Sequence, residues 1–182
     1  MIGEDLDLTR LIAYSLSAHL GWLQRILDFR TLRYFGHEAV SEDLDETEIL
    51  VAPDNTGAPL DLILEENELE IAERLAITLA FTPLVKPEIL DLLFVKNRVL
   101  DRGFTVFGGI VGDTFGGFIP TAETAMFLLT GGDIALRVEF RSVFLPDSPL
   151  FEFGILDPAQ INPTEPELSY PLVWTDEYRS RI

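Results

Sequence analysis

The sequence contains no cysteine, and this absence removes several kinds of chemistry at once. Disulfides, thiolate zinc sites and thiol nucleophiles all require cysteine. Only two histidines occur, His19 and His37, so a metal site built from several imidazoles is excluded as well. A serine triad needs a histidine base and usually a Gly-x-Ser-x-Gly turn, which is missing. For this chain the residues therefore predict no enzymatic activity, no catalytic residue, no cofactor and no metal site.

Basic residues are also scarce. Thirteen Lys and Arg face 31 Asp and Glu in a chain of 182 residues, which gives a formal net charge of −18. Such a surface repels polyanions, so the composition argues against binding to nucleic acid or to anionic membranes. The first residues are acidic and no uncharged apolar run approaches about 18 residues, so neither a signal peptide nor a membrane span is expected. Together with the lack of cysteine, this favours a cytoplasmic location.

A long helix is predicted over residues 8–35. Apolar residues recur there at three- and four-residue spacing and form one stripe. Asp7 is a plausible N-cap, and Gly36 ends the helix with Arg30 and Arg33 in its last turns, where cations favour the helix dipole. His19 falls on the stripe, so we expect it to be a packed residue rather than a ligand.

Several shorter helices are expected further along. Residues 66–82 carry an unusually broad apolar surface, which indicates burial on more than one side, and Thr82-Pro83 should end that helix. Pro87 opens the next helix. Thr121 and Asp133 are predicted N-caps of two later helices, the first of which stops at Gly131-Gly132.

Residues 37–64 lack periodicity and are predicted to form an acidic loop. Between residues 41 and 77 there are twelve acids and a single base, Arg74. A solvated loop explains such a run, and an acidic face for a basic partner is the alternative. Asp43-Leu44-Asp45 lacks the glycine and the terminal glutamate of an EF-hand loop, so a calcium site is not indicated.

Near the C-terminus, residues 150–156 and 168–174 are predicted to be two short strands separated by a proline-rich loop. A hairpin that follows a helical unit is typical of the wing of a winged helix. We therefore predict a mostly helical α+β protein, with a winged-helix-like helical core, a C-terminal β-hairpin and an added long N-terminal helix. Residues 1–60 would hold the long helix and the acidic loop, and residues 61–182 the winged-helix-like domain.

Residues 103–120 hold six glycines and four phenylalanines. Glycine permits positive φ and close backbone approach, and the aromatic rings must be buried or face a partner. The run does not match GxxxxGK[ST] and contains no lysine, so it does not indicate a phosphate-binding loop.

Five segments of the chain carry a family resemblance: residues 73–80, 87–91, 102–109, 116–129 and 148–151. The most specific is Gly-Gly-Phe-Ile-Pro-Thr-Ala-Glu-Thr at 116–124. Together they resemble the N-terminal region of AAA+ family ATPases encoded with contractile, phage-tail-like injection systems, especially in Bacteroidetes. The resemblance covers more than half of the chain, and residues 1–60 match in style only.

The resemblance implies a variant winged-helix domain that precedes an ATPase module. Its Walker motifs are absent up to Ile182, so the simplest expectation is a fragment whose ATPase lies further along. The implied role is accessory: engaging substrate or partner proteins, and oligomerising through the absent ATPase module. Candidate interaction residues are Arg102, Phe115, Phe118 and Glu123.

Two other functions remain open on the sequence. A winged helix that binds DNA needs Lys or Arg on its recognition helix, yet residues 121–130 carry Glu123 and no base. A carboxylate-based enzyme would need two buried acids close together in a cleft, and no acid here is marked by an apolar setting.

Overall fold

The computed structural model describes residues 2–36 and 46–181. It is 58% helical with two small antiparallel hairpins, which confirms the prediction of a mostly helical α+β protein. No helix in these two ranges is long and apolar enough to cross a bilayer. The α-helices are α1 (Ile2–Tyr34), α2 (Glu46–Ile49), α3 (Pro59–Glu66), α4 (Ile71–Val85), α5 (Ala122–Thr130), α6 (Ile134–Phe140), α7 (Pro149–Glu152) and α8 (Asp176–Arg179).

Short 3₁₀ helices and four two-residue strands complete the described part. The 3₁₀ helices are Pro87–Phe94, Thr105–Phe107, Arg141–Phe144 and Pro158–Gln160. The strands are β1 (Lys96–Asn97), β2 (Arg102–Gly103), β3 (Ile110–Val111) and β4 (Phe118–Ile119). Strand β1 pairs with β2, Lys96 opposite Gly103, and β3 pairs with β4, Ile110 opposite Ile119.

Helix α4 forms the centre of the hydrophobic core. Nearly every side chain from Ala72 to Thr82 is buried, on all sides of the helix. The hydroxyls of Thr78 and Thr82 donate to carbonyls four residues back, so these polar groups are satisfied inside the core. Helices α1 and α5 and the 3₁₀ helix at Pro87–Phe94 pack around α4, and Trp174 covers it by donating to the Ile77 carbonyl at 3.3 Å. The prediction that this helix is buried on more than one side is therefore confirmed.

Helix α1 packs on the same core through Leu23, Ile26 and Leu27. One turn further, Arg30 is only 3% exposed. Its Nε donates to the Leu128 carbonyl at 2.8 Å, and Nη2 donates to the Leu129 carbonyl at 2.6 Å. Arg30 therefore stabilises the C-terminal end of α5 rather than that of its own helix. Buried residues from both of the predicted units, 1–60 and 61–182, contribute to this one core.

The predicted helix ends are partly correct. Gly36 follows α1 with φ +68°, Gly131 caps α5 in the left-handed conformation, and the Asp133 carboxylate caps α6 by accepting from two backbone amides. Two ends are wrong. Helix α1 begins at Ile2, so Asp7 lies inside it, and α4 runs past Pro83 to Val85. Pro83 has no N–H to donate, yet the helix continues past it, and Lys86 N bonds to the Thr82 carbonyl and closes the last turn.

The acidic stretch also differs from the prediction. Residues 46–49 and 59–66 are helical, whereas residues 67–70 form the connection before α4 and are not part of it. Asn67 ends α3, and the following Glu68 has a positive φ of 51°, which breaks any continuous helix. The rest of the predicted loop, residues 37–45 with Asp43 and Asp45, lies outside the described residues.

The predicted C-terminal hairpin is wrong in its elements. Residues 149–152 form α7, and residues 150–156 and 168–174 meet at a single antiparallel bridge, Leu156 with Trp174. A second bridge joins Thr121 to Pro171. The backbone of the C-terminal segment is therefore hydrogen-bonded to several different neighbours. The hairpins lie at residues 96–103 and 110–119 instead.

Replacing Leu79 with alanine tests whether α4 holds the core together. Leu79 is fully buried, so Leu79→Ala should lower the free energy of unfolding by about 3 kcal/mol. Leu84 is the matched control, since it lies on the same helix but is 59% exposed, and Leu84→Ala should change stability by less than about 0.5 kcal/mol. Urea unfolding followed by circular dichroism measures both, and equal effects would contradict a core centred on α4.

Candidate functional site

A cleft with a volume of about 570 Å³ opens beside the N-terminus of α5. One wall is the glycine-containing turn Gly108–Gly109 with the first residue of β3, Ile110. Glu123 and Arg137 also line the cleft, together with the loop carrying Leu168. The walls are mainly apolar with a few polar groups, which is the usual make-up of a ligand or peptide site.

Two glycines allow the cleft wall to lie this close to α5. Gly108 and Gly109 have φ of +61° and +77°, a conformation that strains other residues. A Cβ on Gly108 would meet the Thr124 amide nitrogen at 2.8 Å, and a Cβ on Gly109 would collide with the Phe118 ring. Gly109 N also donates to Thr121 Oγ1 at 3.0 Å. These glycines are thus explained by packing of the turn against α5 and Phe118.

The N-terminus of α5 offers no open anion site. Its first amides are already bonded: Ala122 N donates to the Tyr170 carbonyl at 3.1 Å and Glu123 N to the Leu168 carbonyl at 2.8 Å. Thr121 and Thr124 form a reciprocal capping box, as the predicted N-cap requires. A helix N-terminus binds phosphate through unpaired amides. Because the amides of Ala122 and Glu123 are bonded within the chain, they are not free to bind an anion in the cleft.

An ion pair forms the polar side of the cleft. Arg137 donates from both terminal nitrogens to the Glu123 carboxylate, at 2.9 and 2.8 Å. The hydrogen bonds to Glu123 raise the pKa of Arg137 above its ordinary value. Both side chains are partly buried, with exposed fractions of 21% for Glu123 and 30% for Arg137. The bidentate geometry fixes α6 against the start of α5 and leaves the wall close to neutral.

The four residues predicted for interaction lie in different settings. Glu123 lines the cleft, and Phe118 is buried behind its wall, where it also contacts Phe94 with ring centroids 5.4 Å apart. Phe115 lies in the β3–β4 loop, packed over Gly117 and 37% exposed. Arg102 is exposed on the other hairpin, β1–β2. The structure thus brings Glu123 and Phe118 to one site and places Arg102 elsewhere.

A second buried polar cluster joins α1 to α3. His19 is 1% exposed, as expected for a packed residue, and its Nε2 lies 2.8 Å from Oδ1 of Asp61. The other carboxylate oxygen accepts from the amide of Thr56 at 3.0 Å and from the Thr56 hydroxyl. Burial would raise the pKa of Asp61, but the hydrogen bonds from Thr56 and His19 outweigh it, so its pKa lies below the ordinary value. Through these contacts Asp61 joins His19 of α1 to Thr56, which precedes α3, while the buried Nδ1 of His19 has no hydrogen-bond partner among the described residues.

Sequence reasoning missed Arg137 and Asp61. Arg137 lies fourteen residues from Glu123, and Asp61 lies 42 residues from His19. For Asp61 a weak local signal was present, since an acid within an otherwise apolar stretch at residues 58–64 marks a buried carboxylate that needs partners. For Arg137 no local pattern exists, because its partner depends on how α5 and α6 pack.

Gly109→Ala tests whether the cleft wall depends on this backbone. The substitution should lower the free energy of unfolding by about 1–3 kcal/mol, since it combines an unfavourable positive φ with a clash against Phe118. Gly116→Ala is the control: Gly116 has no close neighbour and no positive φ, so stability should change by less than about 1 kcal/mol. Thermal unfolding measures both, and a neutral Gly109→Ala would contradict the packing described.

Asp61→Asn tests the buried pair through pH. Because the folded-state pKa of Asp61 is depressed below 3.8, its contribution is present above that pH and is lost as the pH falls through the folded pKa. The variant should be less stable than the wild type by about 2 kcal/mol at pH 7, and the difference should shrink below pH 3.8. Asp54→Asn is the matched control on an exposed acid, and it should change the free energy of unfolding at pH 7 by less than about 0.5 kcal/mol. Urea titrations across this range measure it, and a constant difference would contradict an ionised Asp61.

Within residues 2–36 and 46–181, no three His, Asp or Glu side chains are grouped so as to hold a metal ion. Comparison of the chain with the profiles of known protein families, with characterised proteins and with solved structures finds no significant match.

Proposed function

We propose that this chain is a non-catalytic protein-interaction domain, the N-terminal accessory region of a AAA+ ATPase associated with a contractile injection system, in a winged-helix-like variant. Its role is to engage substrate or partner proteins for the ATPase. The family assignment rests on the resemblance of residues 73–80, 87–91, 102–109, 116–129 and 148–151. The interaction role rests on one structural observation, the preformed apolar cleft beside the open edge of β3.

Strand β3 has one neighbour, β4, in the described part of the chain. Its residues Ile110 and Val111 are 43% and 59% exposed, and Ile110 also lines the cleft. An edge strand with unpaired backbone groups can accept an extended segment of another protein, whose side chains are then read by adjacent pockets. The cleft is such a pocket, so the geometry favours an extended segment with an apolar side chain as the ligand.

The rigidity of this site supports the same function. Gly108 and Gly109 pack closely against α5 and Phe118, and the Glu123–Arg137 pair joins α5 to α6 beside them. A preformed site loses little conformational entropy on binding, which matters for a short segment. The anionic surface adds selectivity, because a net charge of −18 disfavours acidic segments.

The DNA-binding alternative gains no support from the site. Helix α5 presents Glu123 and no basic residue, and Arg137 beside it is neutralised by that same carboxylate. A DNA reader needs free Lys or Arg side chains at the groove. The cleft is therefore better suited to protein than to nucleic acid.

Site-specific photo-crosslinking in the producing cell tests the proposed function. A photoreactive residue at Val111 should crosslink to proteins of the injection system or to substrates of the ATPase, identified by mass spectrometry. The same residue at Val138 is the matched control, since Val138 is 73% exposed on the outer face of α6 and does not line the cleft. Identical products at both positions, or products unrelated to such a system, would refute the proposal.

A further inference from the structure

The loop of the β1–β2 hairpin exposes aliphatic side chains to an unusual degree. Between Asn97 and Arg102 the chain turns through Arg98, Val99, Leu100 and Asp101. Val99 is 91% exposed and Leu100 is 57% exposed. Aliphatic residues at the tip of a hairpin gain nothing from this position in the isolated chain, so their exposure suggests a surface that another molecule covers.

The hairpin tip is held in a defined conformation. The side-chain oxygen Oδ1 of Asn97 accepts from the amides of Val99 and Leu100, at 2.9 and 3.2 Å. Asp101 then reverses the chain with a φ of 48°. The tip therefore presents both aliphatic side chains in a fixed arrangement, as a preorganised contact does.

The same hairpin is cationic, in contrast to the rest of the molecule. It holds Lys96, Arg98 and Arg102 within seven residues, three of the thirteen bases of the chain, against one acid, Asp101. None of these three bases forms an ion pair within residues 2–36 and 46–181. A cationic, apolar tip fits a surface that is apolar at its centre and acidic at its rim.

The chain itself carries such a surface between α3 and α4. A cleft of about 400 Å³ there has Ala52, Leu69 and Ile71 as apolar lining and the carboxylates of Glu65, Glu68 and Glu70 around them. Its volume lies within the range of small-ligand pockets, large enough for the two aliphatic side chains of the tip. Arg74 is the one base among its lining residues, and its Nε is engaged by the Leu69 carbonyl at 2.6 Å.

We propose that a second copy of this chain is the partner of the hairpin, with Val99 and Leu100 of one copy entering the acidic cleft at Leu69 and Ile71 of the next. The charges match, since three unpaired cations meet three carboxylates around an apolar centre. The two surfaces are different parts of the chain, so the contact is head-to-tail and each copy offers both halves. This inference does not depend on the proposed AAA+ partners, which would use the separate cleft at β3.

Sedimentation of the full chain tests the self-association. The mass should rise above that of a monomer with increasing concentration at about 0.15 M salt, which screens the long-range repulsion between two chains of net charge −18, and fall again at about 1 M salt, which also screens the charges at the contact. Val99→Glu should weaken association by about tenfold or more, because it places a like charge in the acidic cleft. Val138→Glu is the matched control on an aliphatic residue that is also exposed, and it should associate like the wild type. Circular dichroism checks that both variants are folded.

A charge exchange then tests which surfaces meet. Arg98→Glu and Glu68→Lys should each weaken association, and the double variant should recover it, because the exchanged charges attract again. A chain that is monomeric at every concentration and salt, or a Val99→Glu variant that associates like the wild type, would overturn the proposal. Salt-sensitive binding of the monomer to anionic phospholipid vesicles or to duplex DNA, lost in Val99→Glu, would assign the hairpin to that ligand and also overturn it.

Discussion

The burial of helix α4 on nearly every side determines the arrangement of the other elements. Seven of the eleven residues of α4 from Ala72 to Thr82 are apolar and all but Arg74 are buried, so water is excluded from nearly every side of this segment. Helices α1 and α5, the 3₁₀ helix at Pro87–Phe94 and the C-terminal segment around Trp174 each cover one part of this surface. Most of the described acidic residues are thereby left on the outer layer, where they are solvated, whereas Asp61 and Glu73 are buried.

Helix α5 shows how this enclosure creates a rigid site. Its C-terminal carbonyls are bonded by Arg30 from α1, and its first amides are bonded by the carbonyls of Leu168 and Tyr170. Both ends of the helix are therefore fixed by segments distant in sequence. The cleft lies beside the N-terminus of this helix. Gly108 and Gly109 form part of its wall, and they pack closely against α5 and Phe118 only because they lack a side chain.

Local signals predicted the local features well. The cap residues Thr121, Gly131 and Asp133 were correct because capping involves neighbours within a few residues. The C-terminal hairpin was wrong because alternating apolar residues indicate only that one side is buried. Leu172 and Trp174 are indeed buried, but they pack on α4 and its neighbours as an irregular segment with isolated bridges. Burial was predictable, whereas the choice of backbone partner was not.

The sequence by itself determined the helical class, the caps, the anionic surface and the absence of thiol chemistry, since each follows from composition or from residues near one another. The tertiary structure decided which charged groups meet. Arg30 was expected to complement the end of its own helix and instead complements that of α5, nearly a hundred residues away. His19 meets Asp61 and Glu123 meets Arg137 for the same reason: a carboxylate that is wholly or partly removed from water needs a hydrogen-bonding partner. The sequence shows that such a group needs a partner, but only the packing of the helices decides which residue lies within hydrogen-bonding distance of it.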